Sequence, residues 1–342
     1  MELKLFEALN MEYVYHYTSA EGLKGILESK SLWATNAAYL NDFREIEEGI
    51  NKIKLLKSSL KKYAETKLEE IYAKHKNLPL AVAQKAMQNE KVHLANYFLQ
   101  FLWDIIEKNP LDEIYTTSFT TEKDSLNHWL TYGSEQTSYC IKFNKDRLHT
   151  DEYYRQRKFL SGYDDVDYQP TEKMLHTLIE EYFLPEVLRY ILDPKVSGKE
   201  LDKKCAIATI EIFNEVIFKV ASIKNKAFEY EKEYRFTLFN PGVVALNDNE
   251  KIDYFDFIDS SHIGFLESKF ETGQFFPLKY RTLKSGIIAP YRVVPFPKDS
   301  IEEIIIGPSE NNDLAAKGLK SLLSSLDYVV KVSSTETSFR RV

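Results

Sequence analysis

The stretch FEYEKEYRF, residues 228 to 236, holds three carboxylates and a guanidinium in close succession. Read as a β-strand, its alternation places Glu229, Glu231, Glu233 and Arg235 on one face and Phe228, Tyr230, Tyr234 and Phe236 on the other. Carboxylates at steps of about 7 Å raise one another's pKa where water is excluded, and Arg235 partly offsets this. Such a face can do acid and base chemistry or stabilise developing positive charge. It can equally be the wet side of an antiparallel strand closed by a surface ion pair.

Two other stretches carry chemistry-bearing side chains. In YVYHYTS, His16 shares a strand face with Val14 and Thr18, opposite Tyr13, Tyr15 and Tyr17. A lone strand histidine is most simply a satisfied core or rim residue. In TTSFTTEKDSLNHWLTYG, Ser118 and Thr120 end a strand on a common face. The following helix carries Ser125, His128 and Tyr132 along one side and Leu126, Trp129 and Leu130 along another, expected to pack. Thr121 to Asp124 read as a helix cap, and Gly133 as the helix terminator.

The elements that must position these residues are strands interrupted by helical blocks. Strands are expected at Tyr13 to Thr18, at 114 to 120, in SYCIKF, and through KIDYFDF, GIIAPYRVV, EEIIIGP and YVVKV. A helix capped by Ser19 follows the first strand, and another runs from about 311 to 325. Mostly helical stretches occupy 43–110 and 171–225 and read as insertions. Strands grouped in this way, without regular βαβ alternation, indicate an α+β fold with a mixed, mainly antiparallel sheet, organised as one domain over 1–342.

Composition narrows the class. The 342 residues are 44% hydrophobic with a net charge of -7, which suits a globular chain and argues against a broad nucleic-acid-binding face. The lysines of NKIKLLKSSLKKYAETK have helical spacing and read as a solvated face. Two cysteines, Cys140 and Cys205, are too few for a disulfide framework. With no long apolar run or leader-like N-terminus, the expectation is a cytoplasmic protein without a membrane partner. No P-loop, Rossmann glycine motif, HExxH, paired CxxC or GxSxG elbow occurs, so any active site is spread across elements.

The segments YHYTSAEGLKGILESKSLWATNAAYLND, SFTTEKDSLNHWLTYG, YEKEYR and IEEIIIGP together resemble a bacterial family known only as a domain of unknown function. That family in turn resembles the ADP-ribosyltransferase superfamily, whose site draws a histidine or arginine from an early strand, a serine or tyrosine from the middle, and a glutamate from a late strand. The resemblance implies an ADP-ribosyltransferase-like β core and NAD as co-substrate. It also implies Glu233 at the nicotinamide ribose, with Glu231 orienting or deprotonating the acceptor. His16, Thr18, Ser118, Trp129 and Tyr132 would line the NAD site. Small residues usually follow the superfamily histidine, whereas Tyr17 and Thr18 follow it here, so the nicotinamide pocket must differ. Cleaving the nicotinamide–ribose bond builds positive charge on the sugar, which a nearby carboxylate stabilises.

The resulting expectation is an NAD-dependent ADP-ribosyltransferase, a toxin or antiphage-defence effector in type. Its acceptor would be protein, RNA or DNA, and an antitoxin or other regulatory partner would restrain it. Two alternatives stand beside it. One is a non-catalytic nucleotide- or nucleic-acid-binding module. The other is a metal-dependent nuclease using Asp164, Asp165 and Asp167 of YDDVDY with Glu231, although that acidic run reads more simply as a solvated turn.

Overall fold

The computed structural model describes residues 13–40, 114–132, 137–148, 160–169, 217–239, 243–247, 250–253, 276–283 and 285–337, with a few isolated positions between them. The expected helical insertion at 43–110 lies almost wholly outside the described residues, as do Gly133, Cys205 and most of the insertion at 171–225, whose end at 217–225 is described and begins as helix.

In chain order the elements are β1 (Tyr13–Ser19), α1 (Ala20–Ser29), β2 (Ser31–Asn36), β3 (Ile114–Thr120), α2 (Leu126–Thr131), β4 (Ser138–Asn144), the single turn α3 (Lys145–Leu148) and β5 (Leu160–Asp165). There follow β6 (Glu233–Phe239), the separate hairpin β7 (Val243–Asn247) and β8 (Glu250–Asp253), then β9 (Leu278–Thr282), β10 (Ile288–Pro295), β11 (Ile301–Ile306), α4 (Asn312–Ser325) and β12 (Lys331–Ser334). The fold is α+β, and the main sheet is mixed and mostly antiparallel: β11 and β12 run parallel, and every other described pair is antiparallel. Strands β1 and β3 start and end within a residue of where alternation puts them. The last strand instead sits three residues later than YVVKV suggested, because Tyr328 turns inward and donates its hydroxyl to the Leu27 carbonyl.

β3 is the hinge of this sheet. One of its edges pairs with β6 along its whole length, from Ile114 opposite Phe239 to Thr120 opposite Glu233. The other edge is shared. Thr120 meets Tyr15 of β1, while Thr116 and Tyr115 meet Thr35 and Asn36 of β2. The sheet therefore forks at the middle of β3: β1 leads to β4, β11 and β12, and β2 leads to β10 and β9. α1 connects the two prongs, and Ser19 starts it by accepting the Gly22 N–H.

Each face of the sheet buries its own apolar set. Val14, Phe119, Ile141 and Phe143 face a large core closed by Leu23 and Leu27 of α1 and Leu319 and Leu323 of α4. Tyr15, Tyr17, Cys140 and Ile305 face the other way and pack against Trp129 of α2. Trp129 fits because Gly307 has no side chain: a Cβ there would lie 2.7 Å from the indole. Accordingly, Gly307→Ala should cost about 1–3 kcal/mol in a denaturant titration through overpacking, and an unchanged midpoint would contradict this contact.

Candidate functional site

FEYEKEYRF does not form one strand. Residues Lys226–Glu231 make a 3-10 helix, Lys232 adopts a left-handed conformation at φ 40, and only then does β6 begin at Glu233. Asn225 starts the helix by accepting the Ala227 N–H, the local preference for a polar cap that alternation alone overlooks. Glu229 is thereby exposed and apart, whereas Glu231 and Glu233 are both buried, at 5% exposure each.

Those two carboxylates converge on Lys224. Its ammonium donates to Glu231 Oε2 at 2.6 Å and Glu233 Oε2 at 3.0 Å. Arg235 closes Glu233 from the other side with a two-pronged contact, Nε to Oε1 at 2.7 Å and Nη2 to Oε2 at 2.8 Å, and donates Nη1 to the Ala221 carbonyl. Two anions and two cations thus share one buried volume. Burial alone would raise the Glu233 pKa, but Arg235 and then Lys224 outweigh it and hold the carboxyl at about 2.

Around this cluster the chain is held by hydroxyls and rings. Tyr132 donates its phenol to Glu231 Oε1 at 2.7 Å, and burial followed by that carboxylate pushes the phenol pKa up. Thr120 Oγ1 donates to the Glu231 carbonyl at 2.7 Å, and His128 Nε2 donates to the same carbonyl at 3.1 Å. Burial lowers the His128 pKa, which favours the neutral ring. The His128 ring stacks on Tyr17 at 4.9 Å, and the Tyr168 hydroxyl accepts the Glu233 N–H at 2.8 Å.

Ser118 is the exposed residue in an otherwise buried β3. Its side chain lies on the same sheet face as Glu233 and, after Arg235 and Lys224, helps to hold that carboxyl ionised. Its carbonyl, left without a strand partner at the fork, meets His16 Nδ1 at 3.0 Å. His16 is thus a satisfied strand histidine, its ring supplying a hydrogen bond that a neighbouring strand would otherwise supply. Because Tyr15, Thr120 and Glu233 are successive register partners, their side chains lie on one face, and His16 belongs to the other, edge-on to Phe119 at 5.8 Å.

The remaining expected site residues divide. Glu231, Glu233, Ser118 and Tyr132 are brought together. Thr18 sits on the His16 face, beside the first turn of α1, where Gly22 leaves room for its hydroxyl. Trp129 is 1% exposed, edge-on to Tyr17 and donating its N–H to Asp124, so it is packing rather than lining. The apolar side of α2 packs only through Trp129, since Leu126 and Leu130 stay exposed. Asp164 pairs with Lys219, and Asp167 Oδ1 accepts the Gln169 N–H, so the YDDVDY acids are engaged separately. Sequence reasoning missed Lys224 and Tyr168. Lys224 follows the chain turn at Ile223, which bridges to Asp167, and no local spacing announces it.

Residues 128–236 match the model of a family described as a protein of unknown function (DUF2971), which supports the expected kinship with a domain-of-unknown-function family. That span contains Tyr132, Glu231 and Glu233; His16 and Ser118 precede it. No curated protein matches the chain, and no solved structure does. Among the described residues no helix is long and apolar enough to cross a membrane.

The depressed pKa sets a pH dependence. A carboxyl at about 2 in the folded chain against 4.5 ordinarily contributes stability that is fully present above 4.5 and is lost as pH falls towards 2. The stability gap between wild type and Glu233→Gln should therefore narrow over that acid range in urea titrations. A gap that widens on acidification would contradict the arrangement.

Proposed function

We propose that the protein is an NAD-dependent ADP-ribosyltransferase whose reacting carboxylate is Glu233. The observation that carries this reading is the exposed Ser118 on the same sheet face as the buried Glu233 carboxylate, which Arg235 and Lys224 hold ionised. The group held ionised there is of the type the chemistry requires. Positive charge develops on the nicotinamide ribose as its bond to nicotinamide breaks, and a fixed anion favours that transition state over the ground state. Lys224 marks the same point: a cation already rests between Glu231 and Glu233.

In the reaction, nicotinamide leaves with the bonding electron pair, an acceptor nucleophile bonds the ribose carbon, and the acceptor's proton passes to a base. On this reading Glu231, which Tyr132 and Lys224 contact, acts as that base or orients the acceptor. His16 acts on this reading through Ser118, as a positioning residue that fixes the β3 main chain, rather than as a partner of Glu233 on a shared ribose.

The balanced charges favour a second reading. With both carboxylates matched by Lys224 and Arg235, the cluster can serve structure alone in a nucleotide-binding module. Incubating the full chain with labelled NAD and cell lysate separates the two. The transferase reading predicts nicotinamide release and label transfer, reduced about 100-fold or more in Glu233→Gln. NAD binding with no nicotinamide release supports the binding module, and equal transfer by wild type and variant overturns the assignment of Glu233.

A further inference from the structure

Arg281 stands out among the charged residues. Arg235 is paired with Glu233 and Arg147 with Glu302, whereas no carboxylate among the described residues pairs with Arg281. Its Nη2 donates to Thr35 Oγ1 at 2.9 Å, and its buried Nε has no hydrogen-bond partner among the described residues. A partly buried guanidinium with an unused donor is costly unless an anion completes it. Beside it Trp33, exposed at 41%, lies 5.7 Å from the guanidinium carbon and packs on Tyr291 at 4.6 Å.

The register shows which way this group faces. Thr35 pairs with Thr116, Tyr291 with Thr35 and Lys279 with Tyr291, and Arg281 follows two residues after Lys279. All of these side chains therefore share the face of Ser118 and Glu233. Thr35 lies two strands from Glu233 and four residues along, roughly 10 Å across and 13 Å lengthwise, or about 16 Å on the diagonal.

We propose that Arg281, Thr35 and Lys279, beside Trp33, form a phosphate-binding subsite for the adenine nucleotide end of a dinucleotide whose other end reaches Glu233. The placement of the far end rests on the transferase reading; the phosphate subsite stands on Arg281 itself. The guanidinium fork supplies paired donors to a phosphate oxygen, Thr35 orients it, and the indole offers an apolar and cation-holding surface to the base or ribose.

Calorimetric titration of the full chain with ADP, NAD and adenosine tests this. ADP should bind wild type saturably, bind Arg281→Gln about tenfold to a hundredfold more weakly, and bind Arg281→Lys with intermediate affinity. Adenosine, lacking phosphate, should not distinguish the three, and Glu233→Gln should bind ADP like wild type. Equal unfolding temperatures of the Arg281 variants and wild type establish that weaker binding is not misfolding, and Lys279→Gln gives a second, exposed substitution that should also weaken ADP. Equal ADP affinity in wild type and Arg281→Gln, or no saturable ADP binding at all, overturns the subsite. ADP binding that depends on Arg281, without nicotinamide release from NAD, supports the subsite and instead removes the transferase reading.

Discussion

The neutral cluster of Glu231, Glu233, Lys224 and Arg235 is the constraint on which the local architecture depends. Each charge is buried, and any one of them alone would be too costly to take from water. Together they are tolerated only in one geometry, with Lys224 between the carboxylates and Arg235 gripping Glu233 through two nitrogens. That geometry requires the 3-10 turn to stop at Lys232, the left-handed residue to reverse the chain, and β6 to start at Glu233. It requires β3 as well, since Thr120 fixes the Glu231 carbonyl and pairs in register with Glu233.

The fork at β3 is the second organising feature. A strand with one neighbour along one edge and two along the other leaves main-chain groups unserved where the two diverge. His16 serves the Ser118 carbonyl at that point. The same divergence leaves Ser118 and Trp33 exposed in strands that are otherwise almost wholly buried. One rearrangement of pairing thus brings together a solvent-facing hydroxyl, an accessible indole and, beneath the hydroxyl, an ionised carboxylate.

Much of this was readable from residue order, and the exceptions have physical causes. β1, β3, β4 and the Ser19 cap followed directly from alternation and capping chemistry, which are local. Glu231, Glu233, Ser118 and Tyr132 were grouped by the family resemblance and not by local spacing, and the fold brings Tyr132 onto Glu231 and sets Ser118 on the face of Glu233. Alternation failed at EYEKE, because Asn225 and the positive φ of Lys232 impose a turn where a strand pattern continues on paper. It could not place His16 on the face away from the glutamates, since relative facing depends on the register of β1 with β3 and of β3 with β6, which is tertiary information. Lys224 and Arg281 were invisible for the same reason: a lysine in IKNK and an arginine in KYRT acquire meaning only from what is packed beside them.

The central claim, mutual compensation of four buried charges, is tested most directly by a double-mutant cycle on Lys224→Met and Glu231→Gln measured by urea unfolding. Each single substitution strands a partner charge and should cost about 3–5 kcal/mol, while the double variant removes one cation and one anion together and should cost much less than the sum. Additive losses, with no coupling between the two positions, would contradict the account.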